Sequence, residues 1–161
     1  VVCCDYTQPF DQWIAQLKYG KVHGLAEFLG QWLGMNAFQA VPDLPDLLVP
    51  VPCSQEKLRL RGYNQAALIA RHAGRVLKRP VDTGLLLKTG EAATQAELGR
   101  AERLKNLRGA FLASRPISAD LTVGLVDDVI TTGATLESCE DALRKAGAKT
   151  IVILAVCRTP E

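Results

Sequence analysis

Asp127 and Asp128 are adjacent carboxylates, followed closely by Thr131, Thr132, Gly133 and Thr135. An apolar run, Val123-Gly124-Leu125-Val126, precedes the acids, and the pattern predicts a buried strand that leaves the core where they begin. Leu136, Cys139, Leu143 and Ala146 share one face of a helix that follows. The loop Thr131, Thr132, Gly133, Ala134, Thr135 therefore lies on a helix N-terminus. Free N–H groups, the helix dipole and the threonine hydroxyls converge there and favour a phosphate. Gly133 allows a tight turn and close approach of the backbone to a ligand. Carboxylates beside a phosphate cradle suit the vicinal hydroxyls of a sugar, or a cation. Phosphate, sugar diol and metal together describe a phosphorylated ribose. A plain Thr-capped strand–turn–helix with surface acids explains Thr131 and Gly133, but not the paired carboxylates. The chain has no G-x-G-x-x-G after a strand and no G-x-x-x-x-G-K-[ST], so dinucleotide and P-loop readings fail on spacing.

The elements that must position these residues follow from the chain order. Val1 to Tyr6 is a short β-favouring run. Pro9 opens a helix whose apolar face is Phe10, Trp13, Ile14 and Leu17, with Gly20 as its stop. Val22, Leu25, Ala26, Leu29, Trp32 and Leu33 form the face of a second helix, and the stretch from Asn36 to Asp46, holding Pro42 and Pro45, reads as a loop. Residues 1–45 are thus expected to be a strand and helical flap, and residues 46–161 an α/β core. Leu47 to Pro52 reads as a buried strand. The stretch from Cys53 to Gln65 has turn character and carries Lys57, Arg59 and Arg61, and Ala66, Ile69, Ala70, Ala73, Val76 and Leu77 form the next helix. A strand–loop–helix unit thus precedes the one holding the acids, and this order predicts βαβ units in a mostly parallel sheet, with both loops on one crevice at the carboxyl ends of the strands. Leu85-Leu86-Leu87 and Phe111-Leu112 are short strands. The segment between them, Lys88 to Gly109, is long, polar and basic, the character of a functional loop. Thr150 to Val156 is the last buried strand.

The 161 residues fit one domain, or one with a small appendage, and 48% apolar content is enough for a core. A net charge of +2 is too small to argue for nucleic acid by itself. No apolar run reaches membrane length and no signal peptide is visible. The chain does not begin with Met, as a piece of a longer protein would not. Five cysteines, without a C-x-x-C pair, fit a reducing cytoplasm better than an oxidising space. The adjacent Cys3 and Cys4 make a poor chelating pair.

The stretch from Val123 to Leu136 resembles the phosphoribosyl-diphosphate (PRPP) signature of type I phosphoribosyltransferases: an apolar strand, two acids, two spacers, then Thr-Thr-Gly-x-Thr. Leu17-Lys18-Tyr19, Val49-Pro50-Val51-Pro52, Arg61-Gly62-Tyr63-Asn64-Gln65, Thr94-Gln95 with Leu98, Arg103, Asn106 and Ala110-Phe111 extend the likeness to the ComF/GntX family of competence-associated phosphoribosyltransferase-like proteins. That family often carries an N-terminal four-cysteine zinc module, which this sequence does not contain. The resemblance implies the type I phosphoribosyltransferase fold. It implies that Asp127 and Asp128 take the ribose hydroxyls, that Thr131 to Thr135 hold the 5-phosphate, and that Pro52, Cys53, Ser54, Arg59 and Arg61 serve the pyrophosphate. Arg100, Arg103 and Lys105 would belong to a closing loop. Mg²⁺ would be held mainly by the ligand and not directly by protein side chains. The implied reaction is displacement of pyrophosphate from PRPP by an unknown nitrogenous acceptor. The alternative is a non-catalytic PRPP-responsive module in competence, DNA uptake or nucleotide regulation. Thr131 stands where hypoxanthine-guanine enzymes have an Asp that serves as general base, which disfavours purine salvage of that kind.

Overall fold

The computed structural model describes residues 1–20, 22–89 and 110–160. Four parallel strands form the central sheet in the order β1-β6-β5-β2: β1 is Val2–Asp5, β2 Leu47–Pro50, β5 Thr122–Ile130 and β6 Thr150–Arg158. Both β5 and β6 are central and near-continuously apolar, as a parallel strand covered on both faces must be. β5 pairs with β6 from Thr122↔Thr150 to Ile130↔Arg158 and with β2 from Leu47↔Val123 to Pro50↔Val126.

Two apolar layers cover the sheet. On one face, Ile14 and Leu17 of α1 (Phe10–Tyr19), Leu29 and Leu33 of α2 (His23–Ala40) and Ile69 and Ala73 of α4 (Gln65–Leu77) pack with Val126, Leu154 and Val156. On the other, Leu136, Cys139 and Leu143 of α5 (Ala134–Lys145) pack with Val49, Val123 and Leu125. α2 and α4 approach closely because Gly30 and Gly34 carry no side chain. A Cβ on Gly30 would sit 2.6 Å from His72 Cβ, and one on Gly34 2.8 Å from Val76 Cβ.

Four expectations are revised. α2 continues to Ala40, so the loop before β2 is shorter than its prolines suggest. The turn-like stretch after β2 holds a seven-residue helix, α3 (Gln55–Arg61), which Ser54 caps by accepting a hydrogen bond from Lys57 N–H at 3.3 Å. The short apolar runs around 86 and 112 do not join the parallel sheet. They pair antiparallel as β3 (Leu86–Lys88) and β4 (Phe111–Ala113), with Lys88 opposite Phe111. Finally, β5 does not end at the acids but runs through them to Ile130, held by β6 on one side.

Candidate functional site

Because β5 continues past Val126, Asp127 and Asp128 are strand residues and their side chains leave on opposite faces. Each is fixed locally: Asp127 Oδ1 accepts the N–H of Asp128 at 2.8 Å, and Asp128 Oδ1 accepts the N–H of Val129 at 2.8 Å. Asp128 is buried, 8% exposed, and its Oδ2 lies 2.9 Å from the ammonium of Lys18 at the end of α1. Asp127 has no ion-pair partner among the described residues. Burial, with the neighbouring Asp128 carboxylate, pushes its carboxyl up to about 8. Asp127 and burial also push the Cys139 thiol of α5 up to about 12, with burial the larger cause.

The loop after β5 turns through Gly133, which adopts φ +77° and caps α5 without a side-chain hydrogen bond. The first-turn N–H groups of α5 have no intrahelical acceptor. The end of β6 supports this loop: Thr159 N–H donates to Ile130 O at 2.9 Å, and its hydroxyl donates to Thr131 O at 3.3 Å. Thr131 and Thr132 are exposed, while Gly133 and Ala134 are half-buried.

β2 lies beside β5 in the same direction, so the segment after β2 emerges next to the acids. A cavity of about 280 Å³ opens there, between Pro52, Cys53 and Ser54 on one side and Asp127, Asp128 and Thr135 on the other. Lys18, Lys57, Arg61 and Lys88 also line it. Arg61 is held over the Tyr19 ring, 5.1 Å from its centroid, with Nη2 3.4 Å from the tyrosine hydroxyl. The Tyr63 hydroxyl donates to Leu17 O, tying the end of α1 to the start of α4. Asn64 caps α4, accepting Ala66 N–H at 3.0 Å, and donates from Nδ2 to Val51 O at 2.9 Å. The cations crowd one another. Burial, then the Lys57 charge, lowers the Lys88 ammonium. Burial raises the Cys53 thiol against the opposing pull of Arg61, Lys57 and Lys88. A larger cavity of about 660 Å³ adjoins, sharing Pro52 to Ser54, Asn64 and Lys88 and extending to Leu68, Arg71 and Leu86.

The structure thus brings Pro52, Cys53, Ser54, Arg61, Asp127, Asp128 and Thr135 around one cavity. Arg59 is exposed on α3 and lines neither cavity. Arg100, Arg103 and Lys105 lie outside the described residues. Lys18, Gln65 and Lys88 join the site without a role assigned from sequence. Lys18 and Gln65 fall in the segments Leu17-Lys18-Tyr19 and Arg61 to Gln65 that carry the family likeness, which is the signal that points to them. No group of three or more His, Cys, Asp or Glu able to hold a metal occurs among the described residues, and no helix there is long and apolar enough to cross a membrane.

Comparison with known proteins agrees with this geometry. A family model described as "Phosphoribosyl transferase domain" matches residues 66–161. The chain is 32% identical over 163 residues to the DNA utilization protein YhgH of Escherichia coli K12, covering 99% of this chain and 71% of that protein. It is 31% identical over 164 residues to Competence protein F of Haemophilus influenzae, covering 98% and 72%. A solved structure of glutamine PRPP amidotransferase from Bacillus subtilis, complexed with ADP and GMP, superposes with a TM-score of 0.55 at 24% identity, over 82% of this chain and 26% of that one, which shows the shared fold. With its parallel sheet, its acid-bearing β5 and these relatives, the chain belongs to the phosphoribosyl transferase domain family, in the branch of the ComF-type competence and DNA utilization proteins.

Proposed function

We propose that this protein binds PRPP with Mg²⁺ in the cavity between the β2 and β5 loops and displaces pyrophosphate at the anomeric carbon. The observation that carries this reading is the meeting of two carboxylates, a helix N-terminus and several cations around one cavity. In it, Asp127 and Asp128 accept hydrogen bonds from the ribose hydroxyls, and the amides and hydroxyls of the Thr131–Thr135 loop hold the 5-phosphate. Pro52, Cys53 and Ser54 carry the backbone that faces the diphosphate, and Arg61 and Lys57 offset the charge that grows on the leaving group. The donor set suits a cation carried mainly by the ligand: two carboxylates are present, and one is already paired with Lys18. When bound, Mg²⁺ supplies charge stabilisation of the leaving diphosphate. The acceptor is a nitrogenous nucleophile.

Calorimetry with PRPP and Mg²⁺ tests the binding step, and a screen of nitrogenous bases for pyrophosphate release tests turnover. The paired change Asp127→Asn with Asp128→Asn should weaken PRPP binding by about 2–4 kcal/mol through loss of charge-assisted hydrogen bonds. Wild-type affinity in that variant would refute the assignment. The names of the relatives favour a second reading, a PRPP-responsive binding module in competence or DNA utilization without turnover. Tight PRPP binding with no pyrophosphate release from any acceptor would select it.

A further inference from the structure

β1 is an edge strand of the central sheet, and its register sets Cys4 directly opposite Cys157 of β6. Neighbouring strands run about 4.8 Å apart, within the Cα separation of about 4.4–6.8 Å that a disulfide spans. Both cysteines are free thiols, and they already touch: Cys4 Sγ lies 3.0 Å from Cys157 Sγ and 3.5 Å from Val156 O. A disulfide holds its sulfurs about 2.0 Å apart, so an approach of about 1 Å by side-chain rotation closes the bond without moving the backbone. The two thiols differ in access. Cys157 is fully buried, whereas Cys4 is half-buried on the edge strand. A reagent from solvent therefore meets Cys4 first, with Cys157 waiting behind it.

We propose that Cys4 and Cys157 are an oxidisable pair, closed to a cross-strand disulfide by exchange with a low-molecular-weight disulfide such as oxidised glutathione. The Cys4 thiolate attacks one sulfur of the glutathione disulfide. A Cys4–glutathione bond forms, the S–S bond of the reagent breaks, and one glutathione leaves as its thiolate. Cys157 then gives up its proton and attacks Cys4 Sγ, expelling the second glutathione. Two protein thiols are oxidised, one glutathione disulfide is reduced to two thiols, and the two protons pass to these. Burial, the largest cause, raises both protein thiols, so little thiolate is present and exchange runs over minutes to hours. Such a rate suits a modification that accumulates under sustained oxidation, not a catalytic redox centre. Its effect is mechanical. The bond joins residues 153 positions apart and fixes β1, held in the sheet by β6 alone, to that strand. β1 leads into α1, whose Lys18 pairs with Asp128. The oxidised form therefore clamps the lead-in to α1 onto the sheet, whatever fills the cavity beside the acids.

The test treats the reduced full chain with glutathione disulfide for several hours, quenches it with acid, alkylates it with iodoacetamide in denaturant and digests it with trypsin without reductant. Mass spectrometry should find peptides 1–18 and 150–158 joined, with the bond on Cys4 and the alkyl label on Cys3. Closing so long a loop should raise Tm by about 4–16 °C, and dithiothreitol should reverse both the bond and the rise. Cys3→Ser should keep both. Cys157→Ala should stop at the Cys4–glutathione mixed disulfide, and Cys4→Ser should leave Cys157 unmodified, with no gain in Tm for either. If Cys157→Ala does not fold, the wild-type peptide map and Cys4→Ser decide. Two core thiols that merely share a hydrogen bond would both take the alkyl label after prolonged treatment, and that result would overturn the proposal. A lasting glutathione adduct on wild-type Cys4, or a bond through Cys3, would overturn it as well. A Cys4–Cys157 bond without a rise in Tm would overturn the clamp. PRPP is absent throughout, so no outcome bears on the functional reading above.

Discussion

Lys18→Met tests the contact that joins α1 to the acid-bearing strand. The Lys18 and Asp128 side chains are 24% and 12% exposed and 2.9 Å apart. An exposed pair contributes about 0–1 kcal/mol, while breaking a fully buried pair costs about 3–5 kcal/mol, because the remaining charge is stranded. This pair is intermediate. After the substitution, Asp128 stays buried beside Asp127 without a second ion-pair partner among the described residues. A loss of about 2 kcal/mol follows, and with about 2–4 °C per kcal/mol for a chain of this size, Tm should fall by about 4–8 °C. Asp128→Asn removes the other charge. The double variant Lys18→Met/Asp128→Asn should be less destabilised than the sum of the single changes, with a coupling energy of about 1–2 kcal/mol. Urea unfolding of the four proteins at neutral pH measures it. Additivity within about 0.3 kcal/mol would show that no bridge exists and would remove Lys18 from the site.

Three further outcomes follow from the same geometry. Asp127 is raised to about 8, so between the ordinary carboxylate range near about 4 and pH 8 the folded protein holds a proton that the unfolded chain has released. Its contribution to stability is therefore greatest at the acid end and is lost as pH rises through 8. Asp127→Asn should flatten that slope and raise Tm above pH 7, and parallel pH profiles for the two proteins would contradict the burial of this carboxyl. Gly124→Ala places a methyl 2.6 Å from Leu48 Cδ2 and 2.9 Å from Pro45 Cγ, an overpacking worth about 1–3 kcal/mol in denaturant unfolding. Gly133→Ala, at φ +77° with open space around it, should cost about 1–2 kcal/mol through backbone strain and weaken PRPP binding, while Gly24→Ala, on the exposed start of α2, should not destabilise.

Much of the fold is legible in the chain because its signals are local. Apolar runs bounded by turn residues mark β2, β5 and β6. Helical spacing marks α1, α2, α4 and α5, and the order of strand, loop and helix points to a parallel sheet. The Thr131–Thr135 loop is legible for the same reason: acids, Thr and Gly lie within one short stretch. α3 is less so, since seven residues with no buried side chain show no periodicity. β3 and β4 are apolar triplets, and a triplet does not state which neighbour it pairs with. Nor does an apolar run show where its strand ends. β5 continues through Asp127 and Asp128 because β6 offers backbone partners as far as Arg158, which satisfies the peptide groups whatever the side chains are.

The sequence by itself determined the membership of the chain in its family, the βαβ order and the local apparatus of the Thr131–Thr135 loop, because those depend on neighbours along the chain. Only the tertiary structure decided that Lys18 neutralises Asp128, that Gln65 is buried with a donor to spare, and that Arg61 is steered by Tyr19 while Arg59 faces solvent. Each of these depends on the side-by-side packing of α1, α4, β2 and β5. Burial and pairing are properties of what surrounds a side chain, and residues as far apart in the chain as Lys18 and Asp128 acquire theirs only when the sheet brings them together.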